Sequence, residues 1–73
     1  ESEELFEALR ALRKRLADQE ALPAYIVLSD KVLHILSTAR PITMEAFGNI
    51  SGIGEYKKKK YGKDFVELIK KYV

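Results

Sequence analysis

Gly52, Gly54, Tyr56, Lys57, Lys58, Lys59, Lys60, Tyr61 and Gly62 fall within one short stretch. Glycines allow backbone N–H groups to approach a phosphate closely. Ammonium groups offset phosphate charge, and a phenol ring offers a face on which a base can stack. Together these residue types predict contact with nucleic acid, with the amides at Gly52 and Gly54 as the phosphate-binding backbone. Successive helical positions turn by about 100°, so Lys57 to Lys60 cannot share one face. If the core lies between Lys58 and Tyr61, then Tyr56, Lys57, Lys59 and Lys60 point outward. If Tyr56 is buried instead, Lys58 and Lys59 point outward. At least two lysines face solvent in either arrangement.

The Gly52-Ile53-Gly54 triplet is similar to the turn of helix-hairpin-helix DNA binders, where a short helix, a G-h-G turn and a second helix follow in that order. The alternative is a tight turn between packed helices. Tyr25 follows Pro23 in a connector, where side chains are less often fully buried. It is either a base-stacking platform or a tyrosine closing the core under a loop. Catalysis is poorly supported. His34 is the single histidine and sits inside a helical pattern. Asp18, Asp30 and Asp64 fall at helix ends or on the surface by pattern. No Ser/His/Asp arrangement or phosphate-binding P-loop is present. No catalytic residue and no metal site is expected.

Seventy-three residues with no cysteine allow one domain with a small core and exclude disulfides and thiolate-bound metal. No apolar run approaches the ~20 residues needed to span a bilayer, so no membrane association is expected. Net charge is only +2, but it is unevenly placed. Residues 1–40 carry six basic and seven acidic side chains, a balance of −1; residues 41–73 carry seven lysines and four acids, a balance of +3. A localised excess suits a binding face. The ends fall inside an amphipathic pattern and lack a signal-peptide pattern, so a single domain over 1–73, excised from a larger protein, is expected.

These residues need a scaffold. Leu5, Leu9, Leu12 and Leu16 recur at spacings of four, three and four, one stripe of a helix over about 3–20. Ser2 is its expected cap. Arg10, Arg13, Lys14 and Arg15 occupy the other faces. Residues 21–28 read as a connector whose Tyr25-Ile26-Val27-Leu28 run is an apolar loop, since no second strand exists to pair with it. Ser29 or Asp30 caps a second helix ending near Arg40, before Pro41. Thr43 caps a short third helix with Met44, Phe47 and Ile50 on one side. Gly54 leads into a fourth helix of about two turns, stopped by Gly62 in a left-handed cap. Phe65, Leu68, Ile69 and Tyr72 stripe a fifth. The expected fold is all-α, a compact five-helix bundle.

Several ordered motifs resemble one family, the HRDC domain found at the C-terminal end of RecQ-family DNA helicases and of RNase D. Leu5 to Arg13 is similar to the family's opening L-[FY]-x-x-L-R-x-L-R. Pro23 to Asp30 is similar to P-x-[YF]-[IV]-[VI]-[FL]-x-[DN], and Pro41 to the proline before the third helix. Gly52 to Phe65 matches G-[IV]-G-x-x-K-x-x-[KR]-[YF]-G-x-x-[FL]. The resemblance is closest to bacterial RecQ helicases and covers nearly the whole chain.

The resemblance implies an auxiliary domain without catalysis or cofactor of its own, in a parent helicase that uses ATP and Mg2+. It implies weak binding to single-stranded or branched DNA, or docking on the helicase core of the same chain, by a monomeric module of a cytoplasmic, nucleoid-associated protein. Tyr25 occupies the position of a DNA-contacting tyrosine in bacterial members. The family commonly has an apolar residue where this chain has Lys58, which implies that Lys58 lies at the core rim with its ammonium outward. Tyr56, Lys57, Lys59 and Lys60 then lie on the outer side. The expected contacts are Tyr25 and Tyr56 to bases, and Lys57, Lys59, Lys60 and Lys63 to phosphates, with Arg13 and Lys14 as additions. A protein-interaction module, signalled by the acidic Glu1, Glu3, Glu4 and Glu7, and the RNA-binding domain of an RNase D-type exonuclease are the alternatives.

Overall fold

A computed structural model describes residues 3–73. The expected Ser2 cap and the Glu1 member of the acidic group lie outside the described residues. The order is α1 (Glu3–Gln19), α2 (Ala24–Val27), α3 (Asp30–Ala39), α4 (Met44–Gly48) and α5 (Gly54–Lys70), with no strand among the described residues. The leucine stripe of α1 is buried as its spacing predicts: Leu5 and Leu9 are fully inaccessible, and Leu12 and Leu16 nearly so. Helix α1 touches α2, α3 and α5, while α4 packs on α5. The Cα radius of gyration is 10.8 Å, close to the ~11 Å of a compact chain of this length.

Two boundaries differ from expectation. The connector after Pro23 forms a helical turn, α2, rather than a loop. Pro23 has φ −62, already suited to a helix start. Ile26 N–H then bonds the Pro23 carbonyl at 3.0 Å, and Leu28 N–H bonds that of Ala24 at 3.4 Å. This turn buries Val27 and Leu28 completely, so packing overrides their β preference. The second difference is Gly62, which does not end a helix. The two C-terminal helices expected there are one, α5, of 17 residues. A Cβ on Gly62 would sit 2.7 Å from Met44 Cε and 3.4 Å from Phe47 Cδ2. The missing side chain lets α4 lie close on α5, where Phe47 and Phe65 stack at 5.9 Å between ring centroids.

The other boundaries follow their local chemistry. The Ser29 hydroxyl accepts from Val32 N–H at 3.2 Å, making Ser29 rather than Asp30 the cap of α3. Thr43 accepts from Ala46 N–H at 3.0 Å at the start of α4. Arg40 ends α3 in the left-handed region, φ 50, with its N–H on the Leu36 carbonyl, immediately before Pro41.

Between α4 and α5, Gly52 has φ +97 and Gly54 φ +69, while Ile53 between them is buried in the core. A Cβ on Gly52 would also meet Val32 Cγ2 at 2.8 Å, whereas around Gly54 there is open space. Gly54→Ala is therefore expected to cost only the left-handed backbone penalty, about 1–2 kcal/mol. Gly52→Ala is expected to cost more, because a buried valine must also move. Urea denaturation of the two variants checks the order; equal losses would show that the Val32 contact is of no consequence.

Candidate nucleic-acid interface

Tyr25 stands on α2, and one buried charge fixes the corner that follows it. Leu28 leaves α2 with extended backbone (φ −151, ψ 143). Its carbonyl is therefore outside any helix, in a residue with no accessible surface. Arg13 reaches it from α1: Nη1 donates to Leu28 O at 2.8 Å and pairs with Asp30 Oδ1, also at 2.8 Å. The Arg13 side chain is only 10% exposed, so the residue expected to add a phosphate contact is turned inward instead. Lys14, one position on, is exposed and pairs with Asp18 at 3.1 Å. With the corner held, the Tyr25 ring projects outward at 67% relative exposure, beside Ile26 at 43%. Tyr25 therefore does not close the core.

A second polar cluster joins the end of α1 to α5. Lys60 Nζ lies 2.6 Å from Glu20 Oε1 and donates to the Tyr56 hydroxyl at 3.2 Å. The hydrogen bond from Lys60 holds the Glu20 carboxyl below its ordinary value, and the same pairing raises the Lys60 ammonium. Burial first, and then the neighbouring Glu20, push the Tyr61 phenol up. Tyr61 fills the core, as expected, and Tyr56 is 69% exposed. The wheel is thereby resolved in favour of an outward Tyr56.

The lysine run divides by role. Lys58 lies against α4, its Cδ 2.4 Å from where a Cβ of Gly48 would stand, and its ammonium reaches Glu55 at 3.3 Å. This is the rim position that the resemblance implied. Lys60 is committed to Glu20. Lys59 and Lys63 are exposed and Lys57 half-buried, and among the described residues no carboxylate pairs with these three. Helix α5 begins at Ile53–Gly54 with no side-chain cap on its first N–H groups. The bridge from Glu20 to Lys60 ties the turn after α1 to the first turns of α5, which carry Tyr56 and the uncommitted lysines.

Sequence reasoning missed Glu20 and Asp30 as partners. Glu20 is the last residue expected in α1, and nothing in local spacing links it to Lys60. Among the described residues no cluster of His, Asp or Glu could hold a metal, and no helix is long and apolar enough to cross a membrane.

Fold and surface together define a small all-α module that displays Tyr25 from α2 and Tyr56 with basic side chains from α5. The chain belongs to the HRDC-domain family, whose model matches residues 2–69. It is 39% identical over 72 residues to the ATP-dependent DNA helicase RecQ of Bacillus subtilis (strain 168), a match covering 99% of this chain and 12% of that protein. Against RecQ of Pasteurella multocida (strain Pm70) it is 36% identical over 69 residues, covering 94% of this chain and 11% of the relative. Against the ATP-dependent DNA helicase UvrD2 of Mycobacterium tuberculosis (strain ATCC 25618 / H37Rv) it is 34% identical over 68 residues, covering 93% and 10%. The chain thus spans about a tenth of the length of these relatives.

The two polar clusters make separate predictions. Arg13→Met removes a charged donor and strands a buried carbonyl, and is expected to lower stability by about 1.5–3 kcal/mol; denaturant unfolding measures it. For Glu20, the depressed folded pKa means its contribution is present above the unfolded value, 4.5, and is lost as pH falls through the folded one. The stability difference between the natural chain and Glu20→Gln is therefore constant near neutrality and shrinks in acid below 4.5. Urea midpoints across pH check this. A difference that persists into strong acid would mean that Glu20 acts through packing.

Proposed function

We propose that this chain is the auxiliary nucleic-acid-binding domain of a RecQ-type ATP-dependent DNA helicase, and that it binds single-stranded or branched DNA weakly to help target the enzyme. The observation that carries this reading is the outward Tyr25 at 67% exposure, on a corner held by Arg13. An exposed aromatic on a rigid corner stacks a base without first having to order the backbone. Lys57, Lys59 and Lys63 supply phosphate contacts, and the uncapped amides after Gly54 supply a further anion-binding group. Lys14 adds charge once it leaves Asp18. The helicase host is supported by the 39% identity to RecQ. ATP and Mg2+ belong to the parent helicase, as does the cytoplasmic, nucleoid-associated location.

A docking role on the helicase core is favoured by one observation, the outward Ile42 at 45% exposure ahead of α4, beside a Met44 that remains partly exposed although its tip lies on Gly62. Fluorescence-polarisation titration with single-stranded, duplex and junction DNA at two salt concentrations separates the two readings. DNA binding that weakens with salt supports the first, and no binding to any of them supports docking.

Within the first reading, Tyr25→Ala is expected to weaken single-strand binding by about 1–3 kcal/mol with an unchanged unfolding midpoint. Unchanged affinity would remove Tyr25 from the site. Lys59→Glu/Lys63→Glu is expected to lower affinity and flatten its salt dependence, each lost phosphate contact removing about 0.7 from the logarithmic slope. A slope equal to that of the natural chain would place the phosphates elsewhere.

A further inference from the structure

We propose that Tyr56 is a second base-stacking platform, held ready by Lys60 and Glu20, so that the surface takes two bases of a single strand, one on Tyr25 and one on Tyr56. This rests on the reading of the chain as a nucleic-acid-binding domain.

The geometry of the ammonium carries the proposal. Lys60 Nζ is 3.2 Å from the Tyr56 hydroxyl oxygen but 5.5 Å from the ring centroid. With the hydroxyl itself standing off the ring, these two distances put the nitrogen beyond the oxygen, off the edge of the phenol and not above it. Lys60 therefore grips the ring by its hydroxyl and does not cover its face, and Tyr56 keeps 69% of its surface exposed. Lys60 is in turn held by Glu20 at 2.6 Å, across from α1. An exposed tyrosine on a helix otherwise samples several rotamers, and stacking a base on it must order the ring. Here Lys60, anchored by Glu20 just past the end of α1, has already limited it. Lys60 and Glu20 are positioning residues in this arrangement, and Lys57 and Lys59 on the same turns supply charge for the phosphates flanking a base on Tyr56.

The chain contains no tryptophan, so a single Trp introduced at either position is a clean reporter. Tyr25→Trp and Tyr56→Trp are each titrated with an oligodeoxythymidine. Quenching at both positions is expected. Quenching at position 25 alone overturns the second platform and leaves the DNA-binding reading intact. Quenching at neither, with no binding by polarisation, overturns both. Tyr56→Ala is expected to weaken oligonucleotide binding about fivefold or more, and full affinity in that variant would likewise overturn the proposal. The positioning role is read from a cycle of Tyr56→Phe, Glu20→Gln and the double variant. Removing the Glu20 charge acts equally in both backgrounds and cancels, so a non-additive affinity change of about twofold or more reports the coupling. Additive changes would overturn the roles of Lys60 and Glu20.

Discussion

The Leu28 carbonyl is the constraint from which the rest of the corner follows. The chain must leave α2 in extended geometry to enter α3, and it does so where Leu28 is fully buried. A carbonyl in that position has no helical partner and no water, which leaves it costly unless a donor arrives from elsewhere. Arg13 is the donor, and its second contact with Asp30 draws in the first residue of α3. One guanidinium thus fastens α1 to the end of α2 and the start of α3. The pair is lopsided: Asp30 is 77% exposed, so the burial cost falls mainly on Arg13. The hydrogen bond to Leu28, more than the ion pair, gives the arginine its structural worth.

With that corner fixed, α1 lies so that its last residues reach α5, and Glu20 meets Lys60. This second tie has a different character. It is a partly exposed pair whose value lies in geometry rather than in energy, because it joins the turn after α1 to α5. Lys58 does comparable work by lying against α4. A run of four lysines is therefore half scaffold. Lys58 and Lys60 are spent on holding helices together, and of the lysines around this run only Lys57, Lys59 and Lys63 keep their charge uncommitted.

The leucine spacing of α1, the Ser29 and Thr43 caps and the proline at 41 were each readable, because they act through neighbours three or four positions away. What escaped local pattern acts across the fold. Gly62 reads as a helix stop from its own propensity, yet its environment is Met44 and Phe47 on another helix. The cost of a mid-helix glycine, about 1 kcal/mol relative to alanine, is offset by the approach of α4 that it permits. Tyr25 to Leu28 reads as a loop because its β-prone residues have no second strand to pair with, but Pro23, extended with φ −62, leads directly into the turn, and burial of Val27 and Leu28 completes it. Arg13 reads as surface because it is charged and flanked by charge, while the carbonyl that calls it inward lies 15 residues away. The exposure of Tyr56 was one of two solutions of the helical wheel; the family resemblance at Lys58 pointed to the outward one, and the packing of Lys58 against α4 agrees with it.

The division of the lysines also bears on how such a surface can discriminate. Charge committed to a carboxylate does not release counterions when DNA arrives, so the salt dependence of binding reflects only uncommitted ammonium groups. Lys57, Lys59 and Lys63, the uncommitted lysines of this stretch, would give a shallow dependence and little affinity by themselves on the reading proposed above. Base stacking is less sensitive to salt and requires a base that is already unpaired. A surface poor in uncommitted charge but provided with outward tyrosines therefore gains proportionally more from single-stranded than from duplex DNA, whose base faces are occupied by their neighbours. On the nucleic-acid-binding reading proposed above, a preference for unpaired strands would arise from what the fold withholds as much as from what it presents.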